Sequence, residues 1–149
     1  MLQAANLART DIIPSEVTIM PKFRFNKLVR NKIIDHQIKA GGKPDYRTLS
    51  DQEHVTELIK KISEETAEIA EATPDQLASE IADVQQALDD LKKKLNVSDK
   101  QVRAAQTAKN DKNGSFDQGI YIESVDVNED DPWVGYYRQN PARYPEIQD

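Results

Sequence analysis

From Leu77 to Leu95 the apolar residues recur in alternating steps of four and three: Leu77, Ile81, Val84, Leu88, Leu91 and Leu95. That spacing is the heptad-like seam of a helix packed lengthwise against a neighbour. The stretch just before it carries Val55, Leu58, Ile62 and Ile69 along one helical stripe. Between the two patterns lies a very short linker at Thr73–Pro74, so the two helices must be antiparallel neighbours.

Local signals set the helix starts. Ser50-Asp51-Gln52-Glu53 is a capping box, in which a hydroxyl caps the third amide and a glutamate reaches back. Thr73-Pro74-Asp75-Gln76 and Ser98-Asp99-Lys100-Gln101 repeat the pattern, the former with Pro74 at a first position that needs no N–H. The predicted helices cover 51–72, 74–95 and 99–110. An earlier one is expected over 26–40, where Leu28, Ile33, Ile34 and Ile38 fall near helical spacing and Gly41-Gly42 follow as a stop. Residues 44–49 read as extended or turn. Asn113-Gly114 marks a turn, and Gly119–Val125 alternates like a short strand. The expected architecture is an all-α helical bundle with a short C-terminal strand or extended segment. An N-terminal arm at 1–22, punctuated by Pro14 and Pro21, precedes a domain at 23–125. An acidic, aromatic tail at 126–149 is expected to pack on a surface or a partner subunit.

Composition excludes several chemistries. The chain has no cysteine, which removes disulfides, thiolate metal sites and cysteine nucleophiles and fits a reducing, cytoplasmic setting. Two histidines, His36 and His54, are too few for a histidine-rich metal site and read as surface residues. No apolar run approaches membrane-spanning length, and the N-terminus lacks the pattern of a secretory signal. Neither a membrane nor a nucleic-acid partner is expected, since the net charge is -6. The charge is uneven, however. Residues 22–43 carry seven lysines and arginines against Asp35 alone, whereas 123–149 carry seven acids against Arg138 and Arg143. A basic segment in an acidic protein suits a compact polyanion such as a triphosphate.

The residues that carry chemistry are carboxylates. Glu65 and Glu68 stand three apart on the first hairpin helix, and Glu80 and Asp83 three apart on the second. That spacing sets each pair on neighbouring turns of one helix face. At about 100° per residue, Glu65 sits about 20° from Leu58, and Glu80 about 40° from Val84. Both therefore fall within the apolar stripe, where a charge is costly unless neutralised. The hairpin turn brings Glu68 and Glu80 to similar heights. Four converging carboxylates call for a hard dication, Mg²⁺ or Mn²⁺, with open positions left for water and phosphate. The neighbouring acids Glu64, Glu71, Asp89 and Asp90 read as solvated surface.

The run SEETAEIAEA followed by SEIADVQQAL resembles the EExxE…ExxD signature of MazG-like pyrophosphohydrolases and of phosphoribosyl-ATP pyrophosphohydrolase. FNKLVRNKI resembles the NKLVRDKIP opening of one branch. Lys109-x-x-Lys112-Asn113-Gly114-x-Phe116 resembles that branch's closing motif. The resemblance covers about 23–125 and departs at Asn31, where an aspartate is usual, and at Ile34, where a proline is usual.

What the resemblance implies is a four-helix-type bundle, assembled as a homodimer or homotetramer. Its reaction would be Mg²⁺-dependent cleavage of nucleoside triphosphates to monophosphate and pyrophosphate. Glu65, Glu68, Glu80 and Asp83 would be the metal ligands. Glu64, or a ligand such as Glu65, would orient the attacking water or take its proton. Arg30, Lys109 and Lys112, with Lys27 and Lys32 behind them, would contact the phosphates. Phe116 and Tyr121 read as core or interface residues. Two alternatives stand beside this: phosphoribosyl-ATP pyrophosphohydrolase, and a non-catalytic helical module that senses nucleotides or binds a partner.

Overall fold

The structure is a computed structural model that describes residues 20–147. The expected arm at 1–22 lies outside the described residues up to position 19. The described residues form five helices and no strand: α1 (Ile33–Lys39), α2 (Asp51–Glu71), α3 (Leu77–Lys94), α4 (Asp99–Asn113) and α5 (Pro132–Gln139). The protein is therefore all-helical. No helix among the described residues is long and apolar enough to cross a membrane. The chain divides into two compact units, with the boundary between Ser98 and Asp99.

In the first unit the fold is the α2–α3 hairpin. Ser50 opens α2 as a complete capping box: its hydroxyl accepts from the Glu53 N–H, and the Glu53 carboxylate accepts from the Ser50 N–H at 2.9 Å. The turn at Thr73 works differently from the expected box. The Gln76 side chain accepts from the Thr73 N–H at 3.0 Å, while the Thr73 hydroxyl donates to Gln76 and Asp75. Regular helix then begins at Leu77, after one turn. At its other end α3 closes with a Schellman motif. Val97 N–H bonds to the Lys92 carbonyl at 2.9 Å, and Asn96 takes the left-handed conformation usually given to glycine.

The antiparallel register can be read from residues seven apart. Lys94 Nζ donates to Asp51 at 2.6 Å at the open end. One heptad further on, Leu58 and Ala87 share a cleft and are the buried apolar residues of this unit, 3% and 5% exposed. One heptad beyond that, Glu65 meets Glu80. Ion pair, apolar layer and carboxylate layer thus follow each other at about 10 Å intervals along the hairpin.

That register departs from the expected seam. α3 turns Ala87, rather than Leu88, into α2. Val84 and Leu91 are half-buried, while Leu77, Ile81, Leu88 and Leu95 remain exposed, Ile81 and Leu95 by more than half. A small residue at 87 lets the backbones approach, so the leucines flank the contact instead of filling it.

The expected helix over 26–40 is shorter, beginning only at Ile33. Asn26 adopts a left-handed conformation that breaks helical continuity, and residues 27–30 follow an irregular path. Consecutive residues on a helix diverge by about 100°. The irregular path instead brings Leu28, Val29 and Arg30 to the same cleft as Leu58 and Ala87. The stop at Gly41 is as expected, with a positive φ and the Gly42 N–H bonded to the Gln37 carbonyl at 2.9 Å.

The second unit holds α4, exposed along its whole length, and α5. Gly119–Val125 forms no strand. A strand requires a neighbour to complete its ladder, and Ile120, Tyr121 and Ile122 stand largely in solvent. Phe116 and Tyr121 are fully or largely exposed, so neither serves as core within this chain. The acidic tail contains a helix that the expectation lacked. Asp131 caps α5 by accepting from the Trp133 N–H at 2.8 Å, and Pro132 occupies the first position. Val134 is the buried residue there, and Trp133, Tyr136, Tyr137 and Tyr144 make ring contacts with one another.

Candidate metal centre

The third heptad layer of the hairpin is charged where a bundle would ordinarily be apolar. Glu65, about two turns beyond the buried Leu58, is 4% exposed, the one buried charged residue among those described. Glu80 and Asp83 face it from the first two turns of α3 and are half-buried. Oxygens of these three carboxylates all lie within 4.8 Å of one another. Glu68 is exposed and outside that group, near enough for its charge to act on Glu80. The helix hairpin thus brings three of the four expected ligands together, with Glu68 at the rim.

Crowding of like charge has an electrostatic signature. The Glu80 carboxyl is raised above the ordinary glutamate value, first by loss of hydration and then by the charges of Glu68, Asp83 and Glu65. Around this pair the other acids have cations. Lys61 Nζ stands 2.5 Å from Glu65 Oε1 and 3.2 Å from Glu64 Oε1. Arg30 forms a hydrogen-bonded ion pair with Asp83, which raises the guanidinium still further. Lys27 Nζ donates to Glu64 Oε1 at 2.9 Å. That bond is the main reason that Glu64 is held below the ordinary glutamate value, and Lys61 adds to it. For Lys61 desolvation, the largest single influence, lowers the ammonium, but Glu65 and Glu64 outweigh it and the net shift is upward. Glu68 and Glu80 form no ion pair with any described residue.

A cleft of about 80 Å³ opens beside the cluster, between Leu28, Arg30, Leu58, Lys61, Glu65 and Asp83. That volume holds an ion and a couple of waters, each of which takes about 30 Å³. It falls well short of the roughly 300 Å³ at which small-molecule pockets begin. The donor set is all oxygen, of mixed burial, and open on one side, which fits a hard dication that keeps some of its water.

Of the expected phosphate contacts, Arg30 and Lys27 are at the cluster, each paired with an acid. Lys32 stands at the N-terminus of α1, makes no side-chain cap there and is exposed. Lys109 and Lys112 stand on α4 in the second unit, both exposed. Glu64 lies at the edge of the acidic layer, bound by two lysines. Asp90, read from the sequence as solvated surface, lines the cleft instead and is half-buried. Lys61 went unremarked in the sequence. Its signal was present in the four-residue spacing to Glu65, which on a helix places ammonium and carboxylate side by side.

Compared with family models, with curated proteins and with solved structures, the chain matches none.

Proposed function

We propose that the protein is a Mg²⁺-dependent, MazG-like nucleoside triphosphate pyrophosphohydrolase, releasing a nucleoside monophosphate and pyrophosphate. The observation that supports it most is the convergence of Glu65, Glu80 and Asp83, with Glu68 at the rim, in the contact between α2 and α3. Four acids at a helix interface are destabilising for a purely structural hairpin, so their placement favours a role in holding a dication.

Bound there, Mg²⁺ or Mn²⁺ would offset phosphate charge and lower the pKa of an attacking water. Glu65, Glu68, Glu80 and Asp83 hold it. Glu64, kept ionised by Lys27 and Lys61, takes the proton of the water or orients it, with Glu65 the alternative for that role. Arg30 and Lys27 sit on the cluster's rim and offer a planar fork and a point charge to the phosphates. Lys32 adds positive charge on the same unit, and a phosphate role for Lys109 and Lys112 of α4 rests on the sequence resemblance alone. The cleft accommodates an ion and part of a phosphate chain but no base, so the nucleoside must find its surface elsewhere. The exposed leucines of α3 favour a homodimer or homotetramer as the source of that surface.

The test is release of pyrophosphate from a panel of ribo- and deoxynucleoside triphosphates with Mg²⁺, beside Glu68→Gln. Pyrophosphate and monophosphate from the intact protein, lost in the variant, establish the reaction. Turnover only on phosphoribosyl-ATP would assign the histidine-biosynthetic activity instead. A second reading, a non-catalytic nucleotide-sensing or partner-binding module, draws on Asn31 and on the pairing of Arg30 and Lys61 with would-be ligands. No turnover on any of these substrates, before or after Asn31→Asp, would establish it.

A further inference from the structure

We infer that Arg30 and Lys61 are exchange cations: they neutralise the acidic cluster before a dication binds, leave it when one does, and then hold the incoming triphosphate. The inference rests on the metal centre proposed above. Its starting point is charge. Glu65, Glu68, Glu80 and Asp83 present four negative charges in one layer, and two monocations sit directly on two of them, Lys61 on Glu65 and Arg30 on Asp83. One dication replaces two monocations charge for charge. Both carboxylates are also needed as oxygen donors, which the guanidinium and the ammonium now occupy.

Neither cation is locked in place. The Arg30 side chain is 58% exposed and belongs to an irregular segment outside any helix. An ion pair so open to water costs little to break. Lys61 needs no backbone movement, because its ammonium already bridges to Glu64 at 3.2 Å and can stay there when Glu65 turns to a metal. Both side chains line the cleft where phosphate oxygens would enter. Released from Asp83 and Glu65, with Lys61 still on Glu64, they face the anion that arrives with the metal.

The test is Mn²⁺ binding by calorimetry to the full chain, alone and with inorganic tripolyphosphate, for the intact protein, Arg30→Gln, Lys61→Gln and the charge-preserving Arg30→Lys. Circular dichroism verifies the helices in each variant. The expected result has opposite signs. Arg30→Gln binds Mn²⁺ about two- to fivefold more tightly, the range set by giving up one exposed ion pair, and Lys61→Gln, whose pair is more shielded, gains at least as much. Each binds tripolyphosphate in the presence of Mn²⁺ more weakly by a similar factor. Arg30→Lys stays near the intact protein in both. Mn²⁺ binding to the intact protein that is unchanged or weakened in both Gln variants would overturn the exchange and leave the metal centre standing. No Mn²⁺ binding to the intact protein would overturn both.

Discussion

The acidic layer of the hairpin and the Arg138 cluster of α5 are both networks of charged side chains, and they are built in opposite ways. Arg138 is flanked by two carboxylates, Glu129 and Glu146, with Nη2 3.0 Å from the latter, and all three side chains are substantially exposed. Each partner reinforces the ordinary charge of the other: Glu129 and Glu146 are lowered by Arg138, and Arg138 is raised by them. Acids outnumber cations in both, but in the hairpin Glu65 is nearly sealed from water, and Glu80, which has no cation on it, is pushed the other way, towards its protonated form. In the solvated cluster every acid has a cation, and the pairs tie a short helix to its flanking chain. In the hairpin one acid is buried and two, Glu68 and Glu80, lack a cation among the described residues.

The comparison breaks most visibly in activity. Glu80→Gln and Glu68→Gln are expected to lower pyrophosphate release by about a hundredfold or more, a few kcal/mol of charge stabilisation, whereas Arg138→Gln leaves it unchanged. Comparable losses from both regions would erase the distinction. Stability comes next. Leu58→Ala is expected to cost about 2–5 kcal/mol, and Val134→Ala about 1.6 kcal/mol for the two carbons lost. Trp133 is the single tryptophan, so its fluorescence reports the second unit while helical circular dichroism is dominated by the first. In urea, Leu58→Ala should move the dichroism transition and Val134→Ala the fluorescence. Coincident shifts of both probes in both variants would show one cooperative unit.

Glu65→Leu sharpens the contrast further. Made together with Lys61→Leu, so that no charge is left unpaired, and without metal, it should leave the hairpin unchanged or more stable by about 1–3 kcal/mol, as apolar replacement of a buried ion pair often does, while removing Mn²⁺ binding. Loss of stability would mean that Glu65 and Lys61 act as a structural staple. Ser50→Ala should cost about 1 kcal/mol, a capping effect with no influence on metal affinity. The smallest effect concerns pH. Glu53 is held at about 2 by Arg47 and Ser50, so its contribution to stability is present above its ordinary value and is lost as pH falls from about 4.5 towards 2. Thermal melts across that range should show the loss, and Glu53→Gln should remove that part of the pH dependence.

Several of these features were legible without a structure because their causes are local. The capping box at Ser50, the glycine stop after α1 and the hairpin itself follow from neighbours in the chain, as does the placement of Glu65 and Glu68 on one helix and Glu80 and Asp83 on the next. α5 was legible too: Asp131-Pro132 is a helix start whose meaning was obscured by the acidic, proline-rich composition around it. The strand expected at Gly119–Val125 had the right alternation but lacked a partner, which no single segment can supply.

What the sequence by itself determined, then, is helices α2, α3 and α4, the antiparallel pairing of α2 with α3 and the row of acids each presents, because caps, short turns and three-residue spacing act between neighbours. Only the tertiary structure decided which stripe of α3 closes on α2, how residues 27–30 reach the cleft, and that Arg30 and Lys61 meet Asp83 and Glu65. A helical period marks a face about 100° wide and leaves the rotation within it open. Backbone approach at Ala87 and the pairing of opposite charges settle that rotation, and both depend on residues far apart in the chain.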